Sequence, residues 1–214
     1  MLKAVLFDLD NTLYDPGSDL FSLIDVRINR YMCDVAGIAH DEVDGLRRRY
    51  WREYGVTLQG LIRHHAVDPE DYLEYVHDVD VTTRIGPQPA LLDALMTLRL
   101  RRVVFTNGSR AHAERVLDAL GLSAVFEEIF DVRVAGYLPK PRMEPYLEVL
   151  RRMDCAAQDC VMVEDSLENL RTAKGLGMRT VLVAKSSGEA RAAFVDALID
   201  HPGEVTALID GWMA

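Results

Sequence analysis

The chain begins with a short apolar run, and its second half alternates between such runs and longer amphipathic segments. Apolar runs that predict β-strands lie at residues 2–9, 101–106, 129–134, 160–165 and 179–184. Segments with a helical period lie at residues 89–99, 109–120, 143–153 and 167–177. Strands that alternate with helices of about 10–15 residues favour right-handed crossovers, so the pattern predicts an α/β fold with a parallel sheet.

A long stretch between the first two predicted strands, residues 18–80, has a helical pattern throughout. Apolar residues recur close to every 3.6 positions over residues 20–32, and Gly37 and Gly55 close two successive helical segments. Asp68 is a candidate N-cap for a further helix, because its side chain can accept a hydrogen bond from the first helical turn. An all-helical insertion is therefore predicted after the first strand.

These patterns predict a Rossmann-like parallel-sheet core that is interrupted by the helical insertion. The core is expected to comprise residues 1–14 and 85–214, and the insertion residues 15–84. Near the end of the chain, residues 189–214 form two short amphipathic segments, which we expect to dock onto the core.

Polar residues follow four of the predicted strands, at the edge where parallel α/β sheets bind ligands. In chain order these clusters are Asp8-Leu9-Asp10-Asn11-Thr12, Thr106-Asn107-Gly108-Ser109, Lys140-Pro141 and Glu164-Asp165-Ser166. Each cluster taken alone matches ordinary turn or helix-cap chemistry. Their common position, after separate strands of one sheet, indicates a shared site.

Asp8 and Asp10 are two positions apart in an extended segment, so both side chains can face one pocket. When two carboxylates lie close together, ionisation of one raises the pKa of the other. This favours one anionic nucleophile and one proton donor. A divalent cation would offset the remaining repulsion, with Glu164 and Asp165 supplying more oxygen ligands. Hard oxygen ligands, with no histidine expected near them, favour magnesium over zinc.

Donor groups in the other two clusters complement this acidic pair. Lys140 supplies a positive charge, and Thr106 supplies a hydroxyl group. The backbone N–H groups of Asn107 and Gly108 supply further donors. A transferring phosphoryl group needs positive charge around its oxygens and an in-line attacking group. The acidic pair and these donors together therefore predict a phosphate-binding site.

In this order, the four clusters resemble the motifs of the haloacid dehalogenase-like (HAD) hydrolase superfamily. The resemblance covers about residues 1–14 and 85–185, and the helices of residues 15–84 resemble that superfamily's cap domain. It implies that Asp8 is the nucleophile that forms an aspartyl-phosphate, and that Asp10 protonates the leaving oxygen and then activates water. Dehalogenases of the superfamily lack the second aspartate, so Asp10 indicates phosphate chemistry.

The resemblance implies roles for the other motif residues as well. Thr106 and Lys140 would hold phosphate oxygens, and Lys140 would also offset the charge of Asp8. The ligands of a Mg²⁺ cofactor would be Asp8, Asp10 through its backbone carbonyl, Asp165 and Glu164. The position of Glu164 is occupied by glycine in some members of the superfamily.

Two segments, residues 50–80 and 166–183, resemble the pyrimidine 5′-nucleotidase group of the superfamily. Their most distinctive part is Tyr-Gly-x-Thr-Leu-x-Gly-Leu over residues 54–61. This resemblance implies release of phosphate from nucleoside monophosphates such as UMP or CMP. The candidate substrate-binding residues in the cap are Tyr54, Arg63 and His64.

Other functions are compatible with the same core motifs. One is a broader small-molecule phosphatase that acts on sugar, glycolate or vitamin phosphates. Another is a phosphomutase, because the same aspartate pair would serve it, and a third is a catalytically silent scaffold protein. The intact set of Asp8, Asp10, Thr106, Lys140 and Asp165 favours catalysis over the silent alternative.

Net charge and cysteine content limit the class of partner. The formal net charge is −10, which disfavours binding to nucleic acid or to an acidic membrane surface.

The three cysteines, Cys33, Cys155 and Cys160, lack the Cys-x-x-Cys spacing and are expected to be reduced thiols of a cytoplasmic protein. Neither a signal peptide nor a spanning segment is expected. A small phosphorylated substrate is the predicted partner, and no oligomeric state is predicted.

Overall fold

A six-stranded parallel sheet forms the centre of the computed structural model, which describes residues 1–184 and 192–213. The strands are β1 Ala4–Phe7, β2 Arg101–Phe105, β3 Glu128–Phe130, β4 Cys160–Glu164, β5 Arg179–Val183 and β6 Ala197–Ile199. Their order across the sheet is β3-β2-β1-β4-β5-β6, and every neighbouring pair is parallel. The predicted Rossmann-like α/β fold is confirmed.

Strand β1 lies in the middle of the sheet and is buried on both faces. Ala4 and Leu6 pack into one hydrophobic cluster, and Val5 and Phe7 pack into the cluster on the opposite face. Side chains alternate between the two faces of a strand, so a strand covered on both sides must be apolar at every position. Burial on both faces therefore explains why the sequence of β1 is apolar at every position.

The register of the sheet brings the carboxyl ends of β1, β2 and β4 to one level. Phe7, at the end of β1, pairs with Val104 of β2 and with Val163 of β4. A backbone hydrogen bond from Asp8 N to Val163 O, 2.9 Å long, continues this pairing past the end of β1. The polar residues that follow these strands therefore begin side by side.

Helices between β1 and β2 form the insertion, and we call residues 15–84 the cap. The cap helices are α1 Leu20–Asp34, α2 His40–Tyr54, α3 Thr57–His65 and α4 Pro69–His77. Their buried apolar side chains form a cluster separate from the two clusters that flank the sheet. Val132, which lies in a 3-10 helix shortly after β3, joins the cap cluster and connects the cap with the sheet.

The remaining described helices pack around the sheet. They are α5 Pro89–Thr97, α6 Arg110–Leu120, α7 Met143–Met153, α8 Leu167–Gly175 and α9 Val205–Met213. Ser109 caps α6 and Ser166 caps α8, each by accepting a hydrogen bond from a backbone N–H group in the first helical turn. Within residues 1–184 and 192–213, no helix combines the length and the apolar character needed to cross a bilayer.

The strand predicted over residues 129–134 is wrong in its second half. Strand β3 is shorter, and Val132–Ala135 forms a 3-10 helix. The Asp131 side chain accepts hydrogen bonds from the backbone N–H groups of Arg133 (3.1 Å) and Arg110 (2.9 Å). These bonds cap the 3-10 helix and end the strand.

The C-terminal tail packs onto the sheet, as expected. Residues 189–191, at the start of its first predicted segment, lie outside the described residues. The described part of that segment supplies the edge strand β6, and the second segment is α9. Ile199, Val205 and Ile209 are buried in the same cluster as the β1 residues Val5 and Phe7, so the tail contributes to the core of the sheet domain.

We expect Gly60→Ala to destabilise the cap. A Cβ atom at Gly60 would overlap Cγ, Cδ1 and Cδ2 of the Tyr50 ring, which is fully buried, so the ring or the backbone of α3 would have to shift. Such overpacking costs about 1–3 kcal/mol of the free energy of unfolding. Urea unfolding followed by circular dichroism measures this loss.

The matched control is Gly45→Ala in α2. A Cβ atom there would meet no heavy atom within 4 Å, and alanine is favoured over glycine inside a helix. This control should therefore raise the free energy of unfolding by about 0.5–1 kcal/mol. Equal effects of the two substitutions would contradict the close packing of α3 against Tyr50.

Candidate active site

A buried lysine joins two of the predicted clusters. Lys140 Nζ donates hydrogen bonds to Asp8 Oδ1 at 2.7 Å, to Glu164 Oε2 at 2.8 Å and to the carbonyl oxygen of Phe105 at 2.7 Å. The Lys140 side chain is only 1% exposed. The three donors of the ammonium group are therefore all used, and the nucleophile candidate lies in direct contact with a cation.

Burial and charge set the protonation of this group. Burial and the neighbouring Glu164 raise the pKa of Asp8 to about 7, although Lys140 acts in the opposite direction. Burial likewise raises the pKa of Glu164 to about 7, again against the effect of Lys140. Burial disfavours the charged form of Lys140, but its two carboxylate partners outweigh this and raise the pKa of the lysine. The lysine therefore stays charged while two carboxylates compete for it.

A third carboxylate completes a candidate metal centre. One carboxylate oxygen from each of Asp8, Glu164 and Asp165 lies within 4.8 Å of the other two. Glu164 Oε1 accepts hydrogen bonds from the backbone N–H groups of Asp165 (3.2 Å) and Ser166 (3.3 Å). The donors are hard carboxylate oxygens whose mutual repulsion a divalent cation would relieve, so this residue set fits Mg²⁺.

Asn169 supports Glu164 from the first turn of α8. Its side-chain Nδ2 donates to Glu164 Oε2 at 3.0 Å, and its backbone carbonyl accepts a hydrogen bond from the Tyr146 hydroxyl at 2.9 Å. The amide therefore contacts the same oxygen as Lys140 and fixes the orientation of the Glu164 carboxylate.

Two threonine hydroxyl groups differ in their partners: Thr12 contacts Asp8, and Thr106 contacts its own loop. Thr12 Oγ1 donates to Asp8 Oδ2 at 3.0 Å, so both oxygens of Asp8 are held. Thr106 Oγ1 accepts a hydrogen bond from Gly108 N at 2.9 Å. Among the described residues the Thr106 hydroxyl has this one hydrogen bond, as an acceptor, so its proton is available to a phosphate oxygen.

Asn107 contacts the lysine loop through its side chain. Its Oδ1 accepts from Lys140 N at 2.8 Å, and its Nδ2 donates to Lys140 O at 3.0 Å. Both polar atoms of the amide are thus engaged with the backbone of one residue. Asn107 and Gly108 also line the cleft described below, but the Asn107 side chain serves to hold Lys140 in place.

Asp10 has partners that the sequence did not reveal. Its Oδ1 accepts from the Tyr14 hydroxyl at 2.7 Å and lies 2.8 Å from His112 Nε2. Burial alone would raise the pKa of Asp10, but His112 and Tyr14 stabilise the carboxylate and lower it. The expectation that no histidine lies near the acidic residues is therefore wrong: His112 is on the first turn of α6, which starts directly after the Thr106 cluster.

A cleft of about 800 Å³ lies between the sheet edge and the cap. The core motif residues Asp8, Asp10, Thr106, Lys140, Glu164 and Asp165 all line it. The cap side chains that line it include Phe21, Ile24, Ile28, Arg47, Trp51, Arg52, Tyr54, Tyr72 and His77. The predicted core clusters are thus brought together in one cavity.

Of the three cap residues predicted to bind substrate, Tyr54 lines the cleft, and Arg63 and His64 do not. Both of these side chains are directed at Tyr54 instead. The Arg63 guanidinium lies 5.1 Å from the centre of the Tyr54 ring, and His64 Nε2 lies 2.9 Å from the Tyr54 hydroxyl. The structure therefore places them as neighbours of a cleft residue.

Comparisons with known proteins give independent evidence on the family. The profile of the family described as haloacid dehalogenase-like hydrolase matches residues 2–177. Phosphate metabolism protein 8 of Saccharomyces cerevisiae is 25% identical over 198 residues, which is 84% of this chain and 61% of the yeast protein. Glyceraldehyde 3-phosphate phosphatase of Methanocaldococcus jannaschii is 27% identical over 200 residues, which is 86% of each chain.

A solved structure has the same fold. The crystal structure of a HAD phosphatase from Thermococcus onnurineus aligns with a TM-score of 0.65 over 98% of this chain and 99% of that chain, at 22% identity. The family match covers most of the chain, and relatives that match over most of both lengths are named phosphatases. The chain therefore belongs to the haloacid dehalogenase-like hydrolase family and is an enzyme of the phosphatase type.

Proposed function

We propose that the protein is a magnesium-dependent phosphomonoester hydrolase that acts through an aspartyl-phosphate on Asp8. The observation that carries the proposal is the convergence of the Asp8 carboxylate, the Lys140 ammonium and the Asp165 carboxylate at one end of the cleft. A bound Mg²⁺ would neutralise phosphate charge and would be held by Asp8, Asp165, Glu164 and the backbone carbonyl of Asp10. Small phosphorylated molecules are the proposed partners.

The first half-reaction uses the two aspartates in different roles. The Asp8 carboxylate attacks phosphorus while the bond to the leaving oxygen breaks, and Asp10, after taking up a proton as the substrate binds, gives that proton to the leaving oxygen. Lys140 stays at Asp8 Oδ1 and offsets its charge, and the Thr106 hydroxyl donates to a phosphate oxygen. In the second half-reaction, Asp10 takes a proton from water as the water attacks phosphorus, and the Asp8 carboxylate is released unchanged.

For the substrate we propose a pyrimidine nucleoside monophosphate. A volume of about 800 Å³ is within the usual range for a site that encloses a molecule of that size. Trp51 is 59% exposed although it lines the cleft, so its ring is available to stack on a flat base. Arg52 also lines the cleft and can supply donors for the polar edge of a base. The guanidinium of Arg47, another lining residue, is instead held by Asn29 and Asp25.

A broader small-molecule phosphatase is the second candidate. Relatives that match most of this chain are named glyceraldehyde 3-phosphate phosphatase and phosphoglycolate phosphatase. The substrates in those names have no ring, so this candidate requires no aromatic contact in the cap.

The cytoplasm is the proposed location. Cys33, Cys155 and Cys160 are all free thiols, which suits a reducing compartment.

Asp8→Asn should abolish turnover, because an amide cannot form the acyl-phosphate. With p-nitrophenyl phosphate and Mg²⁺, we expect kcat to fall at least about a thousandfold, and EDTA should stop the wild-type reaction. Asp41→Asn, on the exposed surface of α2, is the matched control and should leave kcat unchanged. An Asp8 variant within tenfold of wild type would rule out the nucleophile assignment.

Asp10→Asn should affect substrates with poor leaving groups most, because only these need a proton on the departing oxygen. The expected loss of kcat is about 10²–10⁴-fold for an alkyl phosphate and at least tenfold smaller for p-nitrophenyl phosphate. Steady-state kinetics on both esters measures the difference. Equal losses on the two esters would count against Asp10 as the acid.

The substrate proposal predicts a ranking of kcat/KM. UMP and CMP should exceed phosphoglycolate and glyceraldehyde 3-phosphate by about tenfold or more, and Trp51→Ala should lower the values for nucleotides alone, by about tenfold for a lost stacking contact. Met96→Ala, at an exposed position on α5, serves as the control. If the small ring-free esters rank first and Trp51→Ala changes nothing, the second candidate function replaces the first.

A further inference from the structure

We propose that His112 is a positioning residue that orients the Asp10 carboxylate for proton exchange with the leaving oxygen. His112 is fully buried, and its Nε2 lies 2.8 Å from Asp10 Oδ1. The two residues are 102 positions apart in the chain. This inference rests on the proposed function, in which Asp10 is the acid and base.

In the contact between His112 and Asp10, the histidine is the hydrogen-bond donor. A carboxylate oxygen only accepts hydrogen bonds, so Nε2 of His112 carries the proton. Nδ1 of the same ring is buried and has no hydrogen-bond partner within the part of the chain that the structure describes. A leucine would fill this position without burying an unpaired nitrogen, so packing alone does not account for a histidine here.

The orientation of the His112 ring is fixed by its neighbours. The ring of His77, from the end of α4 in the cap, stacks on it with 4.7 Å between ring centres and 21° between planes. His77 Nδ1 lies 2.9 Å from the carbonyl of Leu73 and 3.1 Å from Ser109 Oγ. Ser109 also accepts from the backbone N–H group of His112 at 3.3 Å. Ser109 therefore joins the His77 ring to the backbone of His112 at the start of α6.

His77 itself is held as a neutral ring. Burial and the adjacent His112 lower the pKa of His77 to about 3. The ring therefore packs against His112 without adding a charge that would compete for Asp10. The cap supplies this packing, whereas the hydrogen bond to Asp10 comes from the sheet domain.

The contacts of Asp10 distinguish its two oxygens. Tyr14 and His112 both donate to Oδ1, and Oδ2 has no hydrogen bond to any residue in the described ranges. Asp10 lines the cleft, so Oδ2 is the atom that meets the substrate. Asp10 is a carboxylate in the free protein, because His112 and Tyr14 lower its pKa, so Oδ2 first takes up a proton as the substrate binds; a phosphomonoester that arrives as its monoanion carries one. In the reaction, Oδ2 passes this proton to the leaving oxygen and takes another from the attacking water, while His112 keeps its Nε2 proton throughout.

The test compares His112→Ala with His112→Gln on esters of different leaving groups. For the alanine variant, we expect kcat on an alkyl phosphate to fall about a hundredfold, the loss on p-nitrophenyl phosphate to be at least tenfold smaller, and KM to stay within threefold. Glutamine carries an N–H donor at a distance similar to that of Nε2, so it should restore at least tenfold of the lost alkyl phosphate activity. His40→Ala, at the exposed start of α2, is the control variant.

A purely structural role gives a different pattern. It predicts equal losses on both esters, no advantage of glutamine over alanine, and weaker inhibition by inorganic phosphate, and any of these results would overturn the inference. If the alanine variant does not fold, His112→Leu fills the same space and can be compared with His112→Gln in the same way.

The assays also separate this inference from the proposed function. If the wild-type enzyme hydrolyses neither ester with Mg²⁺, the proposed function is refuted. If the wild-type enzyme is active and the variants lose activity equally on both esters, only the role of His112 is refuted.

Discussion

The ammonium group of Lys140 contacts Asp8 and Glu164 together, and the organisation of the site depends on this buried ion group. Removing one partner from such a group leaves an uncompensated buried charge and costs about 3–5 kcal/mol. Two asparagines hold this group: Asn107, which follows β2, fixes the backbone of Lys140, and Asn169, on the first turn of α8, fixes Glu164. These residues lie close together because the strands they follow are paired in parallel and end at the same edge of the sheet.

The fold and the core of the site could be predicted because their signals are local. An apolar run followed by paired acidic residues identifies both a buried strand and its reactive end, and parallel pairing then assembles the strand ends. The end of β3 could not be placed, because Val132 and Val134 continue the apolar pattern while Asp131 turns the chain. The cap contacts of Arg63 and His64 depend on the path of α3, which periodicity does not define.

His112 and His77 show why the remaining part of the site was missed. Each histidine read alone in a helix matches an ordinary packing residue, and the two rings meet only when α4 of the cap lies against the start of α6. The contact of His112 with Asp10 likewise spans 102 positions of the chain. The spacing of residues in the sequence gives no sign of a contact between such distant positions. The acidic pair of Asp8 and Asp10, in contrast, can be recognised from three consecutive residues. The groups that hold and orient reactive atoms were therefore harder to predict than the reactive atoms themselves.

Strands β1 and β2 are neighbours in the sheet, yet the chain between Phe7 and Arg101 passes through the entire cap. The entropy lost in closing a flexible loop grows with the logarithm of its length, so each doubling costs only about 0.6 kcal/mol. Most of the buried apolar side chains of the cap also pack in a cluster of their own, apart from the two clusters that flank the sheet. An insertion of this kind can therefore be exchanged as a module, and the same reactive edge can acquire a new specificity without a redesign of its strands.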